Sequence, residues 1–178
     1  SSRYKRRGPE EYRRMAEYIH AFVRARQGNY MVFFPSYLML EEVYDTYRRE
    51  YGGESCLCQT PSMQEREREE FLQAFRENTG ATLIGFCVMG GIFAEGIDLS
   101  GEKLIGALVA GTGLPQISDE RELLRRFYEE KGENGFDYAY RFPGMNKVLQ
   151  SAGRVIRTTE DRGVIALLDD RFCSREYR

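Results

Sequence analysis

The sequence lacks any apolar run approaching the ~18 residues that a membrane-spanning helix requires. Its Arg- and Lys-rich start has no apolar stretch of the kind a signal peptide carries. No membrane contact and no secretory leader are therefore expected. Histidine occurs once, at His20, and cysteine four times, at Cys56, Cys58, Cys87 and Cys173. Cys56 and Cys58 are one residue apart, closer than zinc knuckles use, and no second Cys/His pair completes a site. The expectation is no metal site, with reduced core or strand cysteines in a cytoplasmic protein, nucleoid-associated if bacterial. A net charge of −2, from 26 basic and 28 acidic residues, excludes a global basic field for nucleic acid. The local basic clusters, Tyr4 to Arg7 and Arg13-Arg14, read as solvated helix flanks. No GxxxxGK[ST] phosphate loop occurs, nor an acidic metal site following one, so the chain cannot build the usual magnesium–nucleotide cradle by itself.

What is present suits one domain with a real core, as 178 residues allow. The chain opens on Ser1 rather than Met, as expected of a processed chain or an excised fragment, and its stop at Arg178 just after an expected strand also reads as a cut. Helical periodicity runs over 10–26, with Tyr12, Met15, Ala16, Ile19, Phe22 and Val23 on one side, and over 37–51. A further helix starts at Ser62 and Glu65, which stand at capping-box spacing, and reaches about Asn78. The spacing predicts helices over 119–131, with Leu123, Leu124, Phe127 and Tyr128 on the apolar side, and over 144–157. Between them lie short apolar runs at 30–34, 55–59, 82–89, 104–110 and 163–168, too short for helices and suited to buried strands. Alternating helices and buried strands predict an α/β fold with a mainly parallel sheet, whose ligands gather beyond the C-terminal ends of the strands. No internal repeat or linker divides the chain, so residues 1–178 are read as a single domain, with a helical excursion at about 116–145.

Two constellations carry chemistry. In the first, Gln150-Ser151-Ala152-Gly153-Arg154-Val155-Ile156-Arg157, two arginines stand one helical turn apart, a Gly precedes the first, and a Gln lies one turn upstream. Planar guanidinium forks suit polyphosphate, and the Gly permits a close approach; the other reading is a solvated helix face. In the second, Gly90-Gly91-Ile92-Phe93-Ala94-Glu95-Gly96-Ile97-Asp98-Leu99, three glycines and two carboxylates follow a buried strand. An Asp there can accept from ribose hydroxyls and a Glu can orient water or pair with an arginine; the other reading is a tight turn with a capping Asp. Gly111-Thr112-Gly113 reads as a turn. An arginine pair and a carboxylate loop without a phosphate loop look like half of a composite site.

Four blocks in order resemble the C-terminal RecA-like half of superfamily 2 DNA helicases of the XPD/DinG group. Tyr30 to Tyr37 resembles motif IV, Gly90 to Leu99 motif V, Leu108 to Pro115 the strand and G-x-P turn after it, and Gln150 to Arg157 motif VI. Asp161-Arg162-Gly163 to Phe172 resembles the closing strand of that half. Ala94 departs from the pattern, standing where a Ser is common before the EGID of motif V.

The resemblance implies a RecA-like three-layer α/β/α domain of the P-loop NTPase type without its own Walker A loop. It implies the second motor domain of an ATP-dependent DNA helicase, inactive in isolation. ATP and Mg2+ would be bound mainly by an N-terminal RecA-like domain, the first partner, and any iron–sulfur cluster would belong to that part. Arg157 would be the arginine finger and Arg154 a phosphate contact, or the reverse; Gln150 would position the nucleotide side. Asp98 would meet the ribose or an inter-motif salt bridge, Glu95 would couple motif V to the arginines, and Gly96 and Gly153 would line the ATP site. Single-stranded DNA and duplex junctions are the expected nucleic-acid partners, met by Ser36, Tyr37, Gly90 and Gly91. The aromatic and basic residues of the excursion read either as a stacking platform or as a flap packed on the sheet. The remaining alternative is a non-catalytic nucleic-acid or protein-binding module on the same fold.

Overall fold

The computed structural model describes residues 8–93, 99, 103–156 and 159–177. The first half alternates helix and strand: α1 (Pro9–Val23), β1 (Asn29–Phe34), α2 (Tyr37–Tyr51), β2 (Ser55–Cys58), α3 (Glu65–Glu77) and β3 (Leu83–Val88). The second half comprises β4 (Gly106–Val109), α4 (Asp119–Glu130), a π-helical turn at Asp137–Arg141, α5 (Phe142–Ala152) and β5 (Val164–Leu167). Five strands form one sheet in the order β2-β3-β1-β4-β5, and each neighbouring pair is parallel. The expected parallel α/β architecture is what forms.

Parallel strands need a face covered on each side, and the period of two supplies both. Tyr30, Val32 and Phe34 of β1 join Ile84, Phe86 and Val88 of β3 against α1 and α2. Met31 and Phe33 join Leu83 and Cys87 on the other side, against Phe71, Leu72 and Phe75 of α3 and Val148 of α5. Gly85 stands where a Cβ would meet the Phe75 and Phe71 rings at 2.8 and 2.9 Å, so a bare backbone makes room for that pair.

Several expectations shift. The capping box of α3 is built by Gln64 and Glu67 rather than Ser62 and Glu65; the Gln64 amide donates to the Glu67 carboxylate at 2.7 Å. α4 is helical as expected, but its apolar side buries nothing: Leu123 is 66% exposed and Phe127 47%. Periodicity reports an apolar stripe, not whether another element covers it. Cys56, Cys58 and Cys87 lie on strands, whereas Cys173 is exposed in a 3-10 turn at Asp170–Cys173; all four are free thiols. Burial pushes the Cys56 thiol up to about 11 and that of Cys58 to about 12.

The largest correction concerns the last helix. It ends at Ala152 instead of running to Arg157, so Arg154 lies past the helix. Gly153 closes the helix, and Val155 then turns into the core beside Gly163, off the path a continuing helix would take.

Candidate functional site

At the C-terminal ends of the strands, β1 stops at Phe34 and the chain turns into α2 at Ser36. The Ser36 hydroxyl accepts from the Met39 amide at 3.4 Å and its carbonyl from the Leu40 amide at 3.1 Å, capping the helix. No acidic residue occupies the first turn of α2, so no carboxylate offsets the positive end of its dipole. Tyr37 follows, half-buried, and its Oη accepts from Gln59 Nε2 at 2.9 Å. Burial pushes the Tyr37 phenol up, against the opposing effect of that hydrogen bond.

Gln59 is the hub of this end. It is 2% exposed, its amide continues the β2–β3 ladder to the Phe86 carbonyl at 2.9 Å, and its Oε1 accepts from the Val88 amide at 3.0 Å. Gly90 has φ +67, a left-handed conformation that favours glycine. Gly91 is needed for space: a Cβ there would stand 2.7 Å from Val88 Cγ2 and 3.0 Å from Gln59 Nε2. Of the four expected nucleic-acid residues, Tyr37 and Gly91 thus meet one buried amide side chain, and Ser36 and Gly90 are their immediate chain neighbours. Lys147 of α5 joins them, its Cε 3.4 Å from where a Gly90 Cβ would lie and its Cβ 3.4 Å from the same position on Gly113. Sequence reasoning missed Gln59 and Lys147. The available signals were a lone polar residue closing a strand at its C-terminal end, and a cation one turn upstream of Gln150.

α5 carries the chain to the opposite end of the sheet. Its start is pressed onto the turn after β4, where a Gly144 Cβ would meet the Thr112 carbonyl oxygen at 2.6 Å and Gly113 has φ +62. Just past its other end, Val155 packs beside Gly163, which lies against the Ile105 carbonyl before β4. Eleven residues of helix separate the two ends by about 16 Å. Gln150 is exposed on the last turn of α5. Gly153 donates to the Leu149 carbonyl at 2.8 Å, and Arg154, half-buried, donates its amide to Ser151 at 3.4 Å.

Gln150, Gly153 and Arg154 therefore stay together at the exit of α5, past Lys147, whose side chain reaches Gly90. Arg157, Glu95, Gly96 and Asp98 lie outside the described residues. The residues flanking that carboxylate loop, Phe93 and Leu99, are buried in the same core layer as Val148 and Val155, and Phe93 stacks on Phe71 at 4.2 Å.

Most of the excursion is a flap that satisfies itself. Arg121 donates to the Ala139 carbonyl at 2.7 Å, Tyr140 to Glu122 at 2.6 Å, and Arg125 to Glu129 at 2.8 Å. Tyr128 stacks on Tyr138 at 3.9 Å, and Arg141 pairs with Asp137 at 2.8 Å. These groups are spent on one another, which disfavours the stacking-platform reading. Among the described residues, no group of three or more His, Cys, Asp or Glu is placed to hold a metal ion. No described helix is long and apolar enough to cross a membrane.

A doubly covered parallel sheet with a motif V-like loop and an arginine turn, and no phosphate loop, defines a RecA-like helicase domain of the C-terminal kind. The helicase C-terminal domain family model matches residues 19–178, and the chain belongs to that family. A regulator of telomere elongation helicase 1 homolog from Drosophila sechellia is 31% identical over 157 residues, 80% of this chain. The chain spans 16% of that relative's length. In fold it is similar to the apo structure of XPD, with a TM-score of 0.79 at 23% identity, covering 99% of this chain and 35% of that one. It is also similar to domain 2 of the DEAD-box helicase Mss116p bound to an RNA duplex, with a TM-score of 0.56 at 12% identity, covering 93% of this chain and 52% of that one.

Proposed function

We propose that this chain is the second motor domain of an ATP-dependent DNA helicase, completing an ATP site in trans and gripping single-stranded DNA at its other end. The observation that carries this reading is the placement of α5. Its first half sets Lys147 against the Gly90 and Gly113 turns, and its far end leads into Gly153 and Arg154. One rigid element thus spans a nucleic-acid face and a nucleotide face, as coupling hydrolysis to stepping requires.

At the nucleotide face, Arg154 and Arg157 stabilise charge on the γ-phosphate as it spreads over the equatorial oxygens in the transition state. Gln150 positions the nucleotide, Gly153 permits close approach, Asp98 takes the ribose, and Glu95 and Gly96 join the loop to the arginines. The N-terminal RecA-like domain brings the phosphate loop and the groups that hold Mg2+, which neutralises phosphate charge when bound. At the nucleic-acid face, Tyr37 stacks on a base, while Ser36, the Gly90–Gly91 backbone and Lys147 meet the phosphates.

The test is ATPase activity of the longer parent protein with single-stranded DNA. Arg157→Ala is expected to lower the rate by about 10³ or more; a rate kept within about twofold refutes the finger assignment. The pure 178-residue chain is expected to show no ATP hydrolysis, and measurable turnover by it would overturn the composite site.

A further inference from the structure

We infer that Gln59 is a positioning residue for nucleic-acid binding, a buried clamp that holds the Tyr37 ring at a fixed offset from the Gly90–Gly91 turn. The inference rests on the proposed nucleic-acid face and adds to it the element that aligns its two halves.

The two loops come from different crossovers and have no covalent reason to keep a fixed spacing. The β1–α2 turn carries Ser36 and Tyr37, and the β3 exit carries Gly90 and Gly91. Strands β1 and β3 are neighbours in register, with Phe34 opposite Val88, which brings the loops side by side but leaves the Tyr37 side chain free to rotate. Gln59 removes that freedom. Its two amide atoms are used in opposite directions: Oε1 accepts from the Val88 backbone at 3.0 Å, and Nε2 donates to Tyr37 Oη at 2.9 Å. The side chain is held at its root by the Gln59–Phe86 backbone bond and is 2% exposed, so it cannot swing into solvent. Gly91 packs onto the same Nε2, and any side chain there would displace the clamp.

A polar group buried this deeply is retained at a cost unless both its ends are satisfied. Here both partners lie on the nucleic-acid face, one on each loop. Tyr37 keeps its ring half-buried with the hydroxyl tied inward, and a tyrosine fixed at Oη presents its face to a stacked base with little entropy left to lose.

The experiment compares fluorescence anisotropy titrations of the chain with labelled oligothymidylate and with an abasic strand of equal length, because the ratio of the two affinities reads the stack. Gln59→Met removes both hydrogen bonds while keeping similar volume. Tyr37→Phe keeps the ring and removes only the hydroxyl, so its cost to stability is confined to the unpaired Gln59 Nε2. Tyr37→Ala removes the stack itself. All three variants are expected to lower the ratio, Tyr37→Ala by about tenfold and the other two by about threefold or more, with abasic affinity unchanged. The double variant Gln59→Met/Tyr37→Phe is expected to be no worse than Gln59→Met alone, since both break one link. If Tyr37→Ala lowers the ratio while Tyr37→Phe and Gln59→Met leave it at the wild-type value, the clamp is refuted and the nucleic-acid face stands. If the chain does not prefer oligothymidylate, or Tyr37→Ala changes nothing, the face and the clamp both fall.

Discussion

The two ends of α5 are held in different ways, although each end of the sheet has a buried amide hub. The C-terminal end is cross-linked by polar groups and close backbone contacts: Gln59 ties two loops together, and Gly144 seats the start of α5 directly on the Thr112 carbonyl. The opposite end has a hub of its own: Asn29, 2% exposed at the start of β1, donates through Nδ2 to the Phe75 and Lys103 carbonyls at 2.9 Å and accepts from Asn78 Nδ2 at 2.6 Å, tying the end of α3 to the chain that enters β4. Gly153 and Arg154 leave α5 in a turn, and the next residue, Val155, is an apolar anchor, 2% exposed beside Gly163. Nucleic acid must be gripped repeatedly by a surface of constant shape, which hydrogen-bonded loops provide. An arginine acting across a domain cleft needs only one fixed root, with its partner groups supplied by the other wall.

The largest expected effect is on the rigid end. Gly144→Val places a Cβ 2.6 Å from the Thr112 carbonyl oxygen and 3.1 Å from the Leu114 amide nitrogen, both backbone atoms that cannot rotate away. The start of α5 must lift off the turn, at a cost of about 3 kcal/mol. Urea unfolding of the chain measures it. A loss under about 1 kcal/mol would mean that this contact yields easily and that the C-terminal end is no stiffer than the other.

Val155→Ala tests the other end. It deletes two buried methyl groups from the layer shared with Phe93, Leu104 and Val148, for a loss of about 2 kcal/mol. The sharper readout is functional. Arg154 is adjacent in sequence to this anchor, so the ATPase of the parent protein is expected to fall more than single-strand affinity does. Equal losses in both would erase the distinction between the ends.

The sequence pattern reached the sheet more easily than the site. Strand runs such as 30–34 were plain because parallel strands buried on both faces admit almost only apolar residues. α2 was readable at both limits because Pro35-Ser36 and Gly52-Gly53 punctuate it. The end of α5 was not, because Val155 and Ile156 continue the apolar period past Gly153 although the chain has already left the helix. Periodicity cannot distinguish a residue buried by one more helical turn from one buried by leaving the helix. Gln59 was hidden for a related reason: its importance lies in two partners that the sequence places 22 and 29 residues away.

The smallest expected change in stability is at Gly153, and it bears most directly on why the arginine turn has its form. Gly153 has φ −65, which any residue adopts, and it is exposed. Its conformation gives no reason for glycine, unlike that of Gly90 or Gly113. Among the described residues, a Cβ there would meet the Leu149 carbonyl oxygen at 3.1 Å and the Gln150 carbonyl oxygen at 3.8 Å, contacts of a helix with its own preceding turn. Gly153→Ala should therefore shift unfolding free energy by no more than about 0.5 kcal/mol in either direction. The glycine must then be explained by something that comes close from outside, and the nucleotide across the cleft is the proposed visitor. The ATPase of the parent protein should fall well beyond what such a stability change can cause, with single-strand affinity unchanged because Tyr37 and Gln59 lie at the other end of α5. If Gly153→Ala is silent in stability and in ATPase alike, nothing approaches this turn closely, and Arg154 acts from farther away than the proposed site requires.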